Sequence, residues 1–308
     1  MSKIKIGLLD FGYRRKNISG VGVLNDVFKY ASLADDLGFS SYWLSEHHNS
    51  GQGWSNPEML LPVLASYTKR INIGIAGVLL AIHSPYRVAL NFKTLSTLFP
   101  GRIDLGLANG YIDPLVDARL NNCGVTEKDY TDHFNKRTKE LLKYLHFEKQ
   151  LLEEEKTIIP PYGGALPTVF RLSGTLDNIL QTVNSNLHYC KSTFHSEDAD
   201  YFDKESILRC RQEFNNRHGS ELQIRVAIAG ICSEKTVAAK RSFRALEISR
   251  LKTAEKMIVG CPSLFRDKIE ELYDRSGINH FVFHDQSLDP GIRKKTLEIL
   301  AKEFTLEN

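Results

Sequence analysis

The chain has 308 residues, 42% hydrophobic and 25% charged, with a formal net charge of +3. A chain this long can bury roughly three quarters of its surface, so it needs neither disulfides nor a structural metal to fold. Both signs of charge are dispersed with no basic stripe interleaved with aromatics, which argues against nucleic acid as a partner, and no window approaches the roughly 18 apolar residues of a membrane span.

Short apolar runs alternate with segments of helical period almost from end to end. The first strand is expected over Ile4 to Phe11, followed by a helix from Asn25 to Leu37 closed by Gly38. Ser40 to Leu44 reads as strand two and Pro57 to Tyr67 as a helix with Pro in its first turn. Strand three spans Ile71 to Leu80, its helix runs from Pro85 to Leu98, and Pro100-Gly101 turns the chain into strand four, Ile103 to Leu107. A long polar stretch leads to a helix from Tyr130 to Lys149, then to a Pro/Gly loop at 160–164. Strands five to seven are Thr168 to Leu172, Leu187 to Lys191 and Gln223 to Ala229, with a helix from Glu197 to Asn216 before the last of them. Helices over Glu234 to Ile248 and Pro262 to Ser276 precede strand eight, Ile278 to Phe283, and Pro290 to Phe304 closes the chain.

Eight strands, each followed by helical sequence, indicate a parallel sheet covered by helices. The expected fold is α/β, a (β/α)8 TIM barrel forming a single domain over residues 1–308. An open doubly wound sheet is the alternative, but its GxGxxG turn is missing, since strand one runs into Phe11-Gly12-Tyr13-Arg14-Arg15. The five cysteines show no CxxC spacing and no signal-like segment opens the chain, which suits reduced thiols and a cytoplasmic protein.

Barrel chemistry lies at the carboxyl ends of the strands. The most polar of these ends is Glu46-His47-His48, where Glu46 and His48 share one face and His47 takes the other. A histidine there can move a proton and an adjacent carboxylate can fix its tautomer, although packing alone also explains such a trio. Ser173-Gly174-Thr175 is expected to open a helix directly after strand five. That places free N–H groups and hydroxyls where a phosphate could bind, or where Ser173 or Thr175 serves as a plain cap. Asp10, His195, His284 and Asp285 also lie at strand ends and raise a metal reading, but strand one, Leu8-Leu9-Asp10-Phe11, lacks the two histidines one residue apart that a metal-dependent hydrolase barrel uses, so no metal is expected.

Several ordered motifs then carry a resemblance. Glu46-His47-His48 after Tyr42-Trp43-Leu44, Ser84-Pro85-Tyr86-Arg87-Val88-Ala89 opening a helix, Pro100-Gly101-Arg102-Ile103-Asp104-Leu105-Gly106-Leu107, and Val259-Gly260-Cys261-Pro262 together resemble the bacterial luciferase-like flavin monooxygenase family. The resemblance is dense over residues 4–110 and looser beyond. It implies a homodimeric barrel that takes reduced FMN (FMNH2) from a separate flavin reductase. Oxygen then forms a C4a-peroxyflavin that oxidises a small organic substrate. Some relatives use coenzyme F420 for hydride transfer instead, and others bind flavin without catalysis.

By the same resemblance His47 is the catalytic histidine, with Glu46 and His48 beside it. Ala76-Gly77 falls where a non-proline cis peptide lies under the flavin ring. Ala108 stands at the position of a reactive cysteine in some luciferases. Ser173, Gly174, Thr175 and Asn178 fall at the FMN phosphate. One departure concerns that phosphate: the family arginine is replaced by Asn109, which donates hydrogen bonds but brings no charge, and leaves the task to Asn109 or to another base such as Arg171.

Overall fold

Alternation of side chains across a parallel strand requires an apolar partner on both faces, and the strands here are buried nearly throughout. The computed structural model describes residues 4–13, 18–48, 53–110, 113–120, 129–176, 178–195, 203–246 and 252–306. Its strands are β1 (Lys5–Asp10), β2 (Ser41–Leu44), β3 (Asn72–Leu79), β4 (Ile103–Ala108), β5 (Thr168–Ser173), β6 (His188–Ser192), β7 (Ile224–Cys232), β8 (Ile258–Gly260) and β9 (His280–Asp285). The hydrogen-bonded order β6-β5-β4-β3-β2-β1-β9-β7, closed by a β6–β7 pairing, makes an eight-stranded parallel barrel of the TIM type.

Around it run α1 (Gly20–Asp36), α2 (Leu61–Tyr67), α3 (Pro85–Leu98), α4 (Pro114–Leu120), α5 (Tyr130–His146), α6 (Glu148–Glu155), α7 (Ile179–Asn184), α8 (Lys204–His218), α9 (Thr236–Arg244), α10 (Pro262–Ser276) and α11 (Pro290–Glu303). None of the helices among the described residues is long and apolar enough to cross a membrane.

The core divides at the barrel wall. Leu8, Tyr42, Ile73, Leu105 and Val226 join the cluster shared with the helices, whereas Leu9, Trp43, Phe170, Cys190, Ala227 and Val282 fill the interior. Neighbours in sequence thus fall into different clusters, as a period of two demands. Deep inside, a charged layer replaces apolar filling: Asp104 accepts from Trp43 Nε1 at 2.9 Å and pairs with Arg225 at 2.8 Å. The Arg225 guanidinium lies 4.6 Å from the Trp43 ring centre and 4.4 Å from that of Phe170. Outside β1, Asp10 pairs with Arg293 at 3.1 Å and accepts from the Tyr42 hydroxyl, so the first strand is tied to α11.

Several boundaries differ from the sequence reading, each for a local reason. The three-residue β8 was not expected, because it is too short for a periodic signal. It rides on the end of β7, where Gly230 lies so close that an added Cβ would meet the Ile258 carbonyl oxygen at 1.8 Å. The helix expected from Tyr130 to Lys149 breaks at Phe147 (φ −113, ψ 40), and Glu148 turns to Lys93 and the Gly163 amide. The polar stretch after β4 contains α4, capped by Asp113 Oδ1 on the Leu115 amide at 2.8 Å with Pro114 following it. The helix after β1 starts at Gly20, earlier than expected, because the Ser19 side chain accepts from the Gly22 amide. Ser173-Gly174-Thr175 does not open a helix: Ser173 ends β5 and α7 starts only at Ile179. The expected helix start at Glu197 and end at Ile248 lie outside the described residues.

Candidate active site

Loops and strand ends at the carboxyl side of the barrel enclose a cavity of about 730 Å³. Its floor is apolar, formed by Leu9, Trp43, Ala76, Gly77, Leu172, Cys190 and Ala227. The Ala76–Gly77 peptide is cis, and the β3–β4 register shifts between Ile75 and Val78. A Cβ on Gly77 would stand 2.6 Å from Leu172 Cδ1 and 2.8 Å from the Gly106 carbonyl oxygen, so only glycine lets the two strands approach here.

On the β2 side, residues 45–48 continue past the strand as two interleaved pairs. Ser45 Oγ and His47 Nδ1 are 2.9 Å apart, and His48 Nε2 lies 2.7 Å from Glu46 Oε1. The sequence expectation that the carboxylate holds a histidine is met by His48, while His47 takes Ser45 as its partner. The His47 amide donates to the Trp54 carbonyl at 2.8 Å, and its ring packs on Phe11 with centroids 4.6 Å apart. Burial, with the positive character of His195 and His48 outweighing Glu46, pushes the His47 pKa down to about 4. At neutral pH the ring is therefore uncharged, with one N–H and one lone pair.

Glu46 does more than orient His48. The same oxygen receives His83 Nε2 at 2.7 Å, and Oε2 accepts the Leu79 amide at 3.0 Å. Burial alone would raise the Glu46 pKa, but the bonds from His48 and His83, the His83 charge and the Leu79 amide bring it down to about 2. Burial alone would also make His83 less basic; the bond and charge of Glu46, with Glu58, raise its pKa instead. His83 sits just before α3 and borders a groove outside the barrel. Sequence reasoning missed it, because nothing local distinguishes it from a loop histidine and its contact with Glu46 spans 37 residues.

On the β4–β5 side the cavity is lined by Ala108, Asn109, Thr131, Arg171, Ser173, Gly174 and Asn178. Asn109 Nδ2 donates to Thr131 Oγ1 at 3.0 Å. Ser173 Oγ accepts the Thr175 amide at 3.2 Å, a local turn rather than a helix cap. Asn178 occupies the cap position of α7 without a side-chain cap bond, which leaves its amide for the cavity. Thr175 does not line the cavity; its carbonyl accepts from the Tyr189 hydroxyl. The remaining expected site residues, Glu46, His47, His48, Ala76 and Gly77, all face the same space.

Other strand-end groups are engaged elsewhere. His195 lines the cavity, and burial lowers its pKa. His284 is buried beneath Phe11, with Nδ1 donating to the Leu9 carbonyl and Nε2 facing the Tyr13 hydroxyl at 3.0 Å; burial pushes its pKa down to about 3. Asp10 belongs to the Arg293 pair. Among the described residues no group of three or more His, Cys, Asp or Glu is arranged to hold a metal ion. Burial drives the Cys190 thiol up to about 12, so it carries no thiolate at neutral pH.

Comparison with known proteins adds an independent line. A family model described as luciferase-like monooxygenase matches residues 5–162. The uncharacterized protein YwcH of Bacillus subtilis (strain 168) is 34% identical over 199 residues, covering 62% of this chain and 57% of that protein. N-acetyl-S-alkylcysteine monooxygenase of the same organism is 26% identical over 286 residues, covering 88% and 82%. Among solved structures, apo-MsnO8 superimposes with a TM-score of 0.82 at 24% identity, covering 99% of this chain and 98% of the other. The oxygenating constituent of 3,6-diketocamphane monooxygenase of Pseudomonas putida, in complex with FMN, gives 0.71 at 20% identity, covering 98% of each. An F420-dependent secondary alcohol dehydrogenase gives 0.71 at 14% identity, covering 99% and 100%. These structural likenesses speak to the fold.

Proposed function

Because the chain belongs to the luciferase-like monooxygenase family, we propose that it is a two-component flavin-dependent monooxygenase, using reduced FMN and O2 to oxidise a small organic substrate. The observation that carries this reading is the meeting of the Ser45–His47 and Glu46–His48 pairs with a flat apolar floor in one cavity of about 730 Å³. That space suits a flavin: Gly77 permits close approach of a planar ring system to the backbone, and the β4–β5 side offers hydroxyl, amide and guanidinium donors to a phosphate. Reduced FMN, when bound, supplies the electrons with which O2 oxidises the substrate.

The chain's own residues orient, exclude water and move protons. Trp43, Leu172 and Phe11 make the walls dry. His47, uncharged and fixed by Phe11 and Ser45, offers either a hydrogen bond or a lone pair at the same point without introducing a net charge. His48 is held in place by the Glu46 carboxylate. The names of two relatives, a monooxygenase acting on N-acetyl-S-alkylcysteine and one complexed with FMN, support oxygenation of a small molecule with FMN. We further propose a separate flavin reductase as the source of FMNH2 and a homodimer as the working form. Met59, Leu98 and Leu120 support the latter, since they leave apolar side chains 69%, 64% and 44% exposed along one groove. The unbridged thiols of Cys190, Cys210, Cys232 and Cys261 suit a cytoplasmic location.

Anaerobic titration with FMNH2 followed by a pulse of O2 tests the reading. Saturable binding, reoxidation slower than that of free flavin, and a turnover reduced about 100-fold by His47→Ala with binding retained are the expected results. Failure to bind FMNH2 would sink it. Binding without substrate oxidation would make the chain a flavin carrier, and preferential binding of F420 with hydride exchange would move it to the F420-dependent group.

A further inference from the structure

Among the described residues, three buried cations are paired with carboxylates, whereas Arg171, which lines the cavity, is not. Arg225 meets Asp104, Arg293 meets Asp10, and Lys93 meets Glu148. Arg171 is only 6% exposed, yet no carboxylate pairs with it among the described residues. Its Nη1 donates to the side-chain oxygens of Gln181 at 3.1 Å and Asn135 at 3.4 Å, and the guanidinium lies 5.2 Å from the Phe134 ring centre. Those partners are all neutral, and the hydrogen bonds of the guanidinium to described residues run through Nη1. Burial works against the charged form here and lowers the Arg171 pKa, and the nearby Tyr189 phenol offsets only part of that. A guanidinium keeps its proton under such conditions, and an anion bound in the cavity would supply the counter-charge that the described residues do not.

The surroundings say what kind of anion fits. Arg171 alternates with Phe170 and Leu172 along β5. It therefore points toward α5 and α7 on the outer side of the strand, where it lines the β4–β5 edge of the cavity instead of its floor. Thr131 and Asn135 lie one turn apart on α5 and share a face. Asn109 reaches the first and Arg171 the second, so the amide from the end of β4 and the guanidinium from β5 converge on that face. Thr131 and Ser173 each accept one bond and keep a hydroxyl proton to donate, and Asn178 has an uncommitted amide. Among the described lining residues on this side the carboxylate is Asp113, which is exposed and accepts the Leu115 amide. One fixed cation amid several neutral donors matches a phosphomonoester.

We propose that Arg171 supplies the charge that recognises the phosphomonoester of the bound flavin, so that this chain selects FMN over riboflavin through a cation on β5 rather than one at the end of β4. The assignment rests on the flavin reading above. It makes Asn109 an auxiliary donor, and it explains how an uncharged residue can stand there without loss of phosphate recognition.

Dissociation constants for oxidised FMN and riboflavin, read from quenching of flavin fluorescence, test it on the full chain, Arg171→Leu and Arg171→Lys. The wild type should prefer FMN by about tenfold or more, a size typical of a charge-assisted pair. Arg171→Leu should reduce that preference to near unity while leaving riboflavin affinity within about twofold, and Arg171→Lys should retain part of it. Because the charge removed is unpaired in the free protein, Arg171→Leu should fold with an unchanged or higher Tm, and inorganic phosphate at constant ionic strength should raise the Tm of the wild type only. An FMN preference retained in Arg171→Leu, or riboflavin binding lost in parallel with FMN binding, overturns the assignment and leaves the flavin reading standing. Absence of binding of either flavin by the wild type overturns both.

Discussion

Glu46 is the residue on which the β2 side of the site depends. It is 94% buried, and one of its oxygens is shared by a cavity histidine and by His83, whose side chain is 29% exposed. Glu46 has a folded pKa of about 2 against 4.5 for the free group, so its contribution to stability is present above about 4.5 and is lost as pH falls toward 2. His83 has a raised folded pKa, so its contribution is complete below 6.5 and is lost as pH rises through the folded value. The pair is therefore strongest between about pH 4.5 and 6.5. Glu46→Gln should cost about 1–3 kcal/mol in chemical denaturation and return the His83 titration, followed by NMR, toward its ordinary value. A His83 pKa unchanged in Glu46→Gln would remove the carboxylate as its cause. Sequence alone could rank Glu46-His47-His48 as the most polar strand end, but not say which histidine the carboxylate would hold or that a third one would share it.

At the scale of elements, the barrel is held from within by a link across three strands. Asp104 on β4 accepts from Trp43 on β2 and pairs with Arg225 on β7, all almost fully buried. Arg225 also lies over two aromatic faces, which adds attraction without supplying a counter-charge. Asp104→Ala would leave Arg225 charged in a dry interior. It should destabilise the fold by about 3–5 kcal/mol, whereas replacing both partners with apolar residues of similar volume should cost much less. Denaturant midpoints for Asp104→Ala and for the double replacement would check this, and equal losses in the two would contradict it. Helix ends show how far local chemistry carries: Ser84 and Pro85 start α3 where expected, and Asp289 and Pro290 do the same for α11. The start of α7 was misplaced because Ser173 bends the chain locally instead of capping a helix.

Across the whole molecule, burial of neutral histidines sets the acid limit. His188 and His284 are pushed down to about 4 and about 3 by burial, helped in the former by the charge of Arg225, and His280 lies well below its ordinary value for the same reasons. Below pH 6.5 the unfolded chain binds protons that these rings refuse in the folded state, so stability falls as pH falls from 6.5 toward 4. Each such ring should cost about 2 kcal/mol by pH 5 relative to pH 7. Thermal unfolding between pH 7 and 5 should show a steady decrease in Tm that is reduced in a His188→Asn variant; an acid-insensitive Tm would contradict the account.

The sequence by itself determined the number of barrel strands, their order and the strand ends that carry polar residues. Those follow from hydrophobic period, Pro and Gly positions and caps, all of which act within a few residues. It also brought Glu46, His47, His48, Ala76, Gly77, Asn109 and Asn178 into consideration together, and they line one cavity. Only the tertiary structure decided the pairings inside that cavity: Ser45 with His47, His83 with Glu46, Asn109 with Thr131, and Arg171 with neutral Gln181 and Asn135 and with no carboxylate among the described residues. Local sequence encodes the period and ends of each element, whereas a side-chain partner tens of residues away, or the lack of one, is fixed when the closing barrel brings the loops together and removes water from between them.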